Sequence, residues 1–575
     1  MACCCDQRRD VAVVFEDVRV QQVPTYDTDI PLPVLDEMQN GVEDRSPLQK
    51  ASQEEAVALP VALSEVKPVT SFTGHSSSLS SPATSVTKVM SKWSRLERSA
   101  HLQVDGEILR GMSLRKSLKN GGAIWRNRPS DLTYEERQKL WNTAQQVASF
   151  DIFVSHTWLT AGIWKFFSML LAFRWVELMG VWAVAVGITF SLCLFDVLPL
   201  PLHYDVSILD WSGSCPFGPW ILTASCLSTI LGLFVAPYLP ACRDHHIFLD
   251  TVSIHQSDSD LKERGIYGIG GCISVSKELR VLWSPPYFSR LWCIFELAAF
   301  HRANPFGRIT LAPVFMEANV LVWMVGAYAP AFCFWTAIAI EVYEGSSGSS
   351  WSALLYLVAL APLIIVLHVL RRSILAKHKL LADLENFDLQ NVECQDDFDR
   401  QFVHSALRAW YGSSEAFTEY VRTTLREVLL SNFYTTRVQF QYILLMVRAQ
   451  VSVSLEVVLG FVKSDAPVEC VISYVVGYTI AFHVLSFSLA FCLALYLCDR
   501  FASPYKGSWL MNQVQTVAIF LACCSLWYAS AQICQSISRW RLEASICWAV
   551  VLAFCCWLCY GPVCGSGWAE RKTPG

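Results

Sequence analysis

The chain has 575 residues, of which 53% are hydrophobic and only 17% are charged, with a net charge of −5. Soluble globular proteins carry about 25% charged residues, so the composition argues against an ordinary soluble enzyme and for a membrane protein. The weak negative balance leaves no basic field for nucleic acid. Cysteine is abundant, at 22 residues, but much of it lies in apolar runs, as with Cys523, Cys524, Cys555, Cys556 and Cys559. There it acts as a small hydrophobe. No CxxC pairs with a second CxxC and no histidine cluster accompanies them, so neither a metal site nor a disulfide framework is expected.

Residues 1–92 are polar, contain Pro and Ser and show no sustained periodicity, which reads as a disordered arm. Its first residues lack the apolar core of a signal peptide. Cys3, Cys4 and Cys5, beside Arg8 and Arg9, are candidates for S-palmitoylation, with ordinary exposed thiols as the alternative. Ala2 rules out N-myristoylation. A partly helical lead-in follows over 93–148, in which Thr133-Tyr-Glu-Glu136 has the form of a capping box.

Phe150-Asp-Ile-Phe-Val154-Ser155-His156 places four apolar residues around one Asp and predicts a buried strand. The stretch 163–175 is apolar but carries Lys165 and Arg174. It is expected to be an interfacial helix leading into a first span. Crossing the hydrocarbon core takes about 20 apolar residues. The runs 178–198, 220–239, 320–340, 352–370, 471–497, 514–531 and 544–560 qualify, and 442–462 is a weaker eighth because it contains Arg448 and Glu456. The loops 199–219 and 341–351 contain no Lys or Arg, whereas the segments between and after them are rich in both. By the positive-inside rule, residues 1 to about 160, 241–318 and 372–440 face the cytosol.

Between the first two pairs of spans the pattern changes. His245-His-Ile-Phe-Leu-Asp250 reads as a second strand, followed by a polar loop over 257–265 and a short helix to about Lys277. Leu279-Arg-Val-Leu-Trp-Ser284 reads as a third strand, ended by Pro285 and Pro286. A helix is expected from about Ser289 to His301, and a fourth strand at 309–315. Strands alternating with helices imply a parallel sheet covered by helices. Residues 372–440 are acidic at first and then amphipathic, which suggests helices packed on that sheet domain.

These pieces, in order, resemble the TIR (Toll/interleukin-1 receptor-like) domain family. FDIFVSH is similar to the family's first strand and IFLD to its second. ERGI followed by CISVS resembles a segment of the plant-type members, and VLWSPPYFSRLWCIFELAAF resembles the strand and helix carrying the family's W-C-x-x-E-L motif. The resemblance covers 149–157 and 245–316, a small part of the chain. It implies a flavodoxin-like α/β domain, formed by 149–157 and 241–318 and split by the interfacial helix and membrane hairpin of 163–240. A second hairpin at 319–371, the cytosolic segment 372–440 and a C-terminal bundle at 441–575 complete an α-helical multi-pass membrane protein of about eight spans.

Some TIR domains cleave NAD+ at the nicotinamide–ribose bond, and others only self-associate and recruit partners. The resemblance puts Glu296 at the position of the glutamate that the cleaving members require, and Trp292 at an aromatic position one turn earlier. Residues four apart share a helical face. Trp292 would then stack on a ring of NAD+ while the Glu296 carboxylate hydrogen-bonds the ribose and stabilises an oxocarbenium-like transition state. Ser155 and Asp250, at the ends of the first two strands, are the other candidate ligand contacts. The competing reading makes Trp292 and Cys293 core residues and pairs Glu296 with Arg290 or Arg302. The arginine that NAD-cleaving members often carry after the first strand is absent from Ser155-His156-Thr157.

Three functions compete: a membrane-anchored signalling protein whose TIR-like domain assembles with copies of itself or with other TIR-containing proteins, an NAD+ glycohydrolase using Glu296, and a transporter or channel. No cofactor is expected, and NAD+ enters as a candidate substrate. Transport has the thinnest support, because charge within the spans is thin, with His368, Arg448, Glu456 and His483 as the candidates, and no inverted repeat is evident.

Overall fold

The computed structural model describes residues 106–240, 243–344, 350–394, 396–429, 439–503 and 508–560. The expected disordered arm and the candidate lipidation sites Cys3, Cys4 and Cys5 lie outside the described residues.

A six-stranded sheet forms from fragments far apart in the chain, in the order β2-β1-β6-β3-β7-β8. Its centre is β3 (Phe150–His156), paired in parallel with β6 (His246–Phe248) on one side and β7 (Ser276–Trp283) on the other. The registers are Ile152 with Ile247 and Val154 with Arg280. β8 (Arg308–Pro313) pairs in parallel with β7. Counted along the chain, the parallel strands run 2-1-3-4, the order of one kind of doubly wound sheet. β1 (Arg110–Ser113) and β2 (Gln145–Gln146) extend the edge antiparallel. Sequence pattern did not reveal these two short strands, since periodicity needs a longer run.

The helices of the domain follow from local chemistry. In α1 (Leu114–Arg126) the hydroxyl of Ser113 caps the first turn, and α2 (Tyr134–Thr143) has the complete capping box of Thr133 and Glu136. The loop expected at 257–265 is largely helix: Asp258 accepts from the backbone of Asp260 and Leu261 and starts α5 (Ser259–Tyr267). A six-residue helix α6 (Ile269–Ser274) leads into β7 three residues earlier than the apolar run suggested, because Ser276 pairs with Phe150. α7 (Leu291–Ala303) begins after the proline turn, as its sequence indicated.

The largest correction concerns the stretch expected to lie at an interface. α3 (Gly162–Leu194) is one helix of 33 residues, broken only at Arg174, whose φ/ψ of −119/17 is non-helical. The half before the break is the crossover helix from β3 towards β6. Phe166, Met169, Leu170 and Leu171 pack in one buried cluster with Ile152, Val154, Ile247, Leu249 and Leu282 of the sheet. The half after the break joins the apolar helices. Arg174 holds the corner, donating to the carbonyls of Ala236 (2.7 Å) and Leu239 (2.7 Å) and pairing with Glu177 at 2.9 Å.

The loop 199–219, free of basic residues, forms an antiparallel hairpin, β4 (Leu202–Ile208) and β5 (Trp211–Phe217). α4 (Trp220–Val235) then returns to the sheet. Beyond β8 come α8 (Val314–Gly326), α9 (Tyr328–Glu344) and α10 (Ser350–Glu385). α11 (Asp397–Tyr411) and α12 (Ser414–Tyr420) pack Phe402, Val403, Leu407 and Phe417 into the sheet's other cluster, with Phe153, Val281, Trp283 and the buried side of α7. Each face of the sheet therefore has its own cover: soluble-type helices on one side, apolar helices on the other.

α13 (Phe440–Met446) and α14 (Arg448–Lys463) meet at a bend of 57° at Val447, so the weakest of the expected spans is a broken one. α15 (Val468–Arg500), α16 (Trp509–Trp540) and α17 (Leu542–Tyr560) close the bundle. Among the described residues six helices are long and apolar enough to cross a membrane, or seven if the bent pair counts as one. The eight expected runs included 352–370. That run falls on α10, which is not among the six.

Candidate functional site

In an open α/β sheet, ligands bind beyond the carboxyl ends of the strands, where the chain order reverses. Here that point lies between β3 and β7, at Ser155–Thr157 and Ser284. Alternation along β3 turns Phe153 and Ser155 to the face covered by α7. The Ser155 hydroxyl is hydrogen-bonded to the Tyr287 hydroxyl and to the Glu296 carboxyl. Tyr287 also donates to the Cys293 carbonyl at 3.4 Å, and the Cys293 thiol to that of His156 at 3.7 Å. Ser155 and Tyr287 are wholly buried, and Glu296 keeps part of its surface open.

Burial pushes the Glu296 carboxyl up to about 8, the negative charge of Asp250 adding to it and the Ser155 hydrogen bond opposing it. At neutral pH Glu296 is mostly a neutral acid that accepts from Ser155, rather than a carboxylate ready to stabilise positive charge. Burial likewise drives the Tyr287 hydroxyl and Cys293 thiol well up, so neither is an activated nucleophile.

A second set of groups continues the edge towards β6. His156 has a side chain only 2% exposed, and its Nε2 lies 3.8 Å from an Asp250 oxygen and makes no hydrogen bond. Burial, followed by the charge of Lys165, lowers it to about 4, so it is neutral at physiological pH. Asp250 accepts from the Trp158 indole at 2.9 Å and the Thr251 backbone at 2.7 Å. Lys165, on the first turn of α3, donates to the Thr157 carbonyl at 3.1 Å and lies 4.5 Å from the Trp158 ring centre.

The structure thus brings Ser155, Glu296 and Asp250 to one edge of the sheet, but it sends Trp292 elsewhere. The Trp292 indole donates to Asp399 at 3.2 Å and stacks on Phe402. It is half-buried under α11, while the carboxyl four residues on faces β3. The pairing expected from helical spacing fails because α7 is wedged between the sheet and α11, and i and i+4 diverge enough to reach different neighbours. Glu296 pairs with neither Arg290 nor Arg302: Arg290 lies 3.4 Å from Glu393.

Sequence reasoning passed over Tyr287, Trp158 and Lys165 as site residues. The signal for Lys165 was available, as a cation inside an apolar run. Among the described residues no group of three or more His, Cys, Asp or Glu side chains could hold a metal ion.

Of the charged groups considered for transport, Glu456 is engaged in holding a helix end. It accepts from the first backbone N–H groups of α4, Ile221 at 2.7 Å and Leu222 at 3.0 Å. Comparison with family models, curated proteins and solved structures yields no match to this chain.

Proposed function

We propose that this chain is a multi-pass membrane signalling protein whose cytosolic TIR-like module assembles with further copies of itself. The observation that carries the reading is the direct join within α3 at the Arg174 corner: its first half covers the parallel sheet, and its second half runs on, with no loop between, through an apolar stretch long enough for a bilayer. A displacement of that span reaches the sheet through the braced corner at Arg174 rather than through a loop. The strand order 2-1-3-4 supports the resemblance drawn from the motifs. The burial of Ser155 and Tyr287, with the raised Glu296 carboxyl bonded to Ser155, favours an assembly role over turnover.

Two tagged versions of the full chain, co-expressed, should cross-link through the module in native membranes. Substitution of exposed polar residues of α5, such as Lys262→Glu, is expected to weaken that contact. A chain that stays monomeric at native abundance would overturn the reading.

An NAD+ glycohydrolase is the second reading, favoured by the position of Glu296 at the reversal of strand order. It requires NAD+ loss by the membrane-embedded full chain that disappears in Glu296→Gln. Loss of NAD+ at equal rates in both would exclude it.

A further inference from the structure

A cavity of about 100 Å³ lies away from the sheet edge, between α10, the turn after α15 and the start of α16. Its lining is His368, Arg371, Arg372, Leu375, Ala502 and Asn512. Arg371 is 1% exposed and ties the three elements together, donating to the carbonyls of Phe501 (2.5 Å) and Asn512 (2.7 Å), to the Thr516 hydroxyl (3.0 Å) and to the Gln515 side chain (2.6 Å). A guanidinium has five N–H donors, so these four bonds leave one over. Arg372 is exposed, and His368 is held 3.2 Å from the Thr516 hydroxyl. Among the described residues no carboxylate lines the cavity, and the neighbouring Asp499 is taken by His378 at 2.9 Å. Two arginines bordering an open space, with no acidic partner among the described residues, one fixed and one free to move, favour an anion.

Its depth in the bundle is marked by Trp509, 74% exposed and less than a turn from Asn512 on α16. Exposed tryptophan at the end of an apolar helix sits at headgroup level. α10 continues from the cavity to Leu384, which packs into the sheet domain's own cluster, so the cavity opens on the side of the module.

We infer that this cavity binds the phosphate group of an anionic lipid headgroup, with Arg371 as its fixed wall and Arg372 as the charge that closes on it. The volume is several times what one water needs and suits a phosphate, leaving the rest of the headgroup outside. Occupancy would join α10, α15 and α16 at the membrane surface, next to the helix that carries the module. The inference rests on the membrane reading proposed above.

The test uses the full chain in nanodiscs of phosphatidylcholine containing a minor fraction of a phosphoinositide with one ring phosphomonoester. Lipid retained on release is counted by native mass spectrometry. The wild-type chain should retain the phosphoinositide in preference to phosphatidylcholine. Arg372→Gln should weaken retention on the order of ten-fold, the value of one charge-assisted hydrogen bond. Lys379→Gln, on the same helix but outside the cavity, should leave it unchanged. Equal retention of both lipids, or unchanged retention in Arg372→Gln, overturns the site. A soluble inositol phosphate that binds as tightly as the lipid upholds the phosphate chemistry and assigns a soluble source. Protease protection in sealed vesicles reads insertion separately: a chain that inserts but retains no phosphoinositide refutes the site alone, and a chain that does not insert refutes the membrane reading.

Discussion

Ser155 and Glu296, 141 residues apart in the chain, are hydrogen-bonded at the carboxyl edge of the sheet. The bond joins a strand before the hairpin insertion to a helix after it, and it lies where charge is poorly tolerated. The Glu296 carboxyl, raised to about 8, binds its proton more tightly folded than unfolded. Folding stability from this group is complete below the unfolded value near 4.5 and is lost as pH rises to about 8, by at most roughly 1.4 kcal/mol per unit. His156, lowered to about 4, has the opposite sign: its contribution is present above 6.5 and lost as pH falls towards 4. The two offset each other between about 4.5 and 6.5. Thermal unfolding of the full chain in detergent should therefore show a fall in stability from pH 6.5 to 8, and Glu296→Gln should remove that fall. A slope that survives in Glu296→Gln would show that another group controls it.

Trp292 is tied to α11 by its stack on Phe402 and its bond to Asp399. Trp292→Phe keeps most of the packing and should cost about 0.5–1.5 kcal/mol for the lost hydrogen bond, whereas Trp292→Ala should cost about 3–5 kcal/mol. If NAD+ is cleaved, Trp292→Phe should leave the rate within a few-fold while Glu296→Gln abolishes it. A selective loss of turnover in Trp292→Phe, with stability intact, would return this indole to a ligand-stacking role.

Arg174 is buried at the break in α3, with Glu177 and two carbonyls as partners. Arg174→Ala leaves Glu177 and those carbonyls without their cation and should cost about 3–5 kcal/mol. Arg174→Lys should recover only part of this, since one ammonium cannot reproduce the planar fork. Denaturation midpoints of the two variants provide the check, and equal midpoints would show that the corner does not need the fork.

Glu456 caps the start of α4 from within the apolar bundle. Glu456→Gln keeps one acceptor oxygen and should cost less than Glu456→Ala, which strands two buried N–H groups at about 1–3 kcal/mol each. Hydrogen exchange at Ile221 and Leu222 reads the cap directly. Unchanged protection in Glu456→Ala would mean that solvent or another group replaces it.

The strand at Phe150–His156, the strand within 276–283, the capping box of α2 and the long apolar helices were all visible in the residues, because each depends on periodicity or capping within a short window. Ser155, Asp250 and Glu296 could be nominated from motif order, and they do share one edge of the sheet. Trp292 could not be placed that way: helical spacing specifies a common face, but α11, more than a hundred residues later, determines which part of that face is covered.

The same division holds for the whole molecule. Composition and local pattern were enough to determine a chain rich in long apolar helices with an α/β segment between them, since burial of apolar runs and strand alternation are nearest-neighbour effects. They could not show that 163–173 covers the sheet instead of lying apart from it, that β1 extends the edge, or that Lys165 and Tyr287 meet the candidate site. Those outcomes depend on which surfaces, distant along the chain, exclude water together, and that is settled by packing among elements rather than within any one of them.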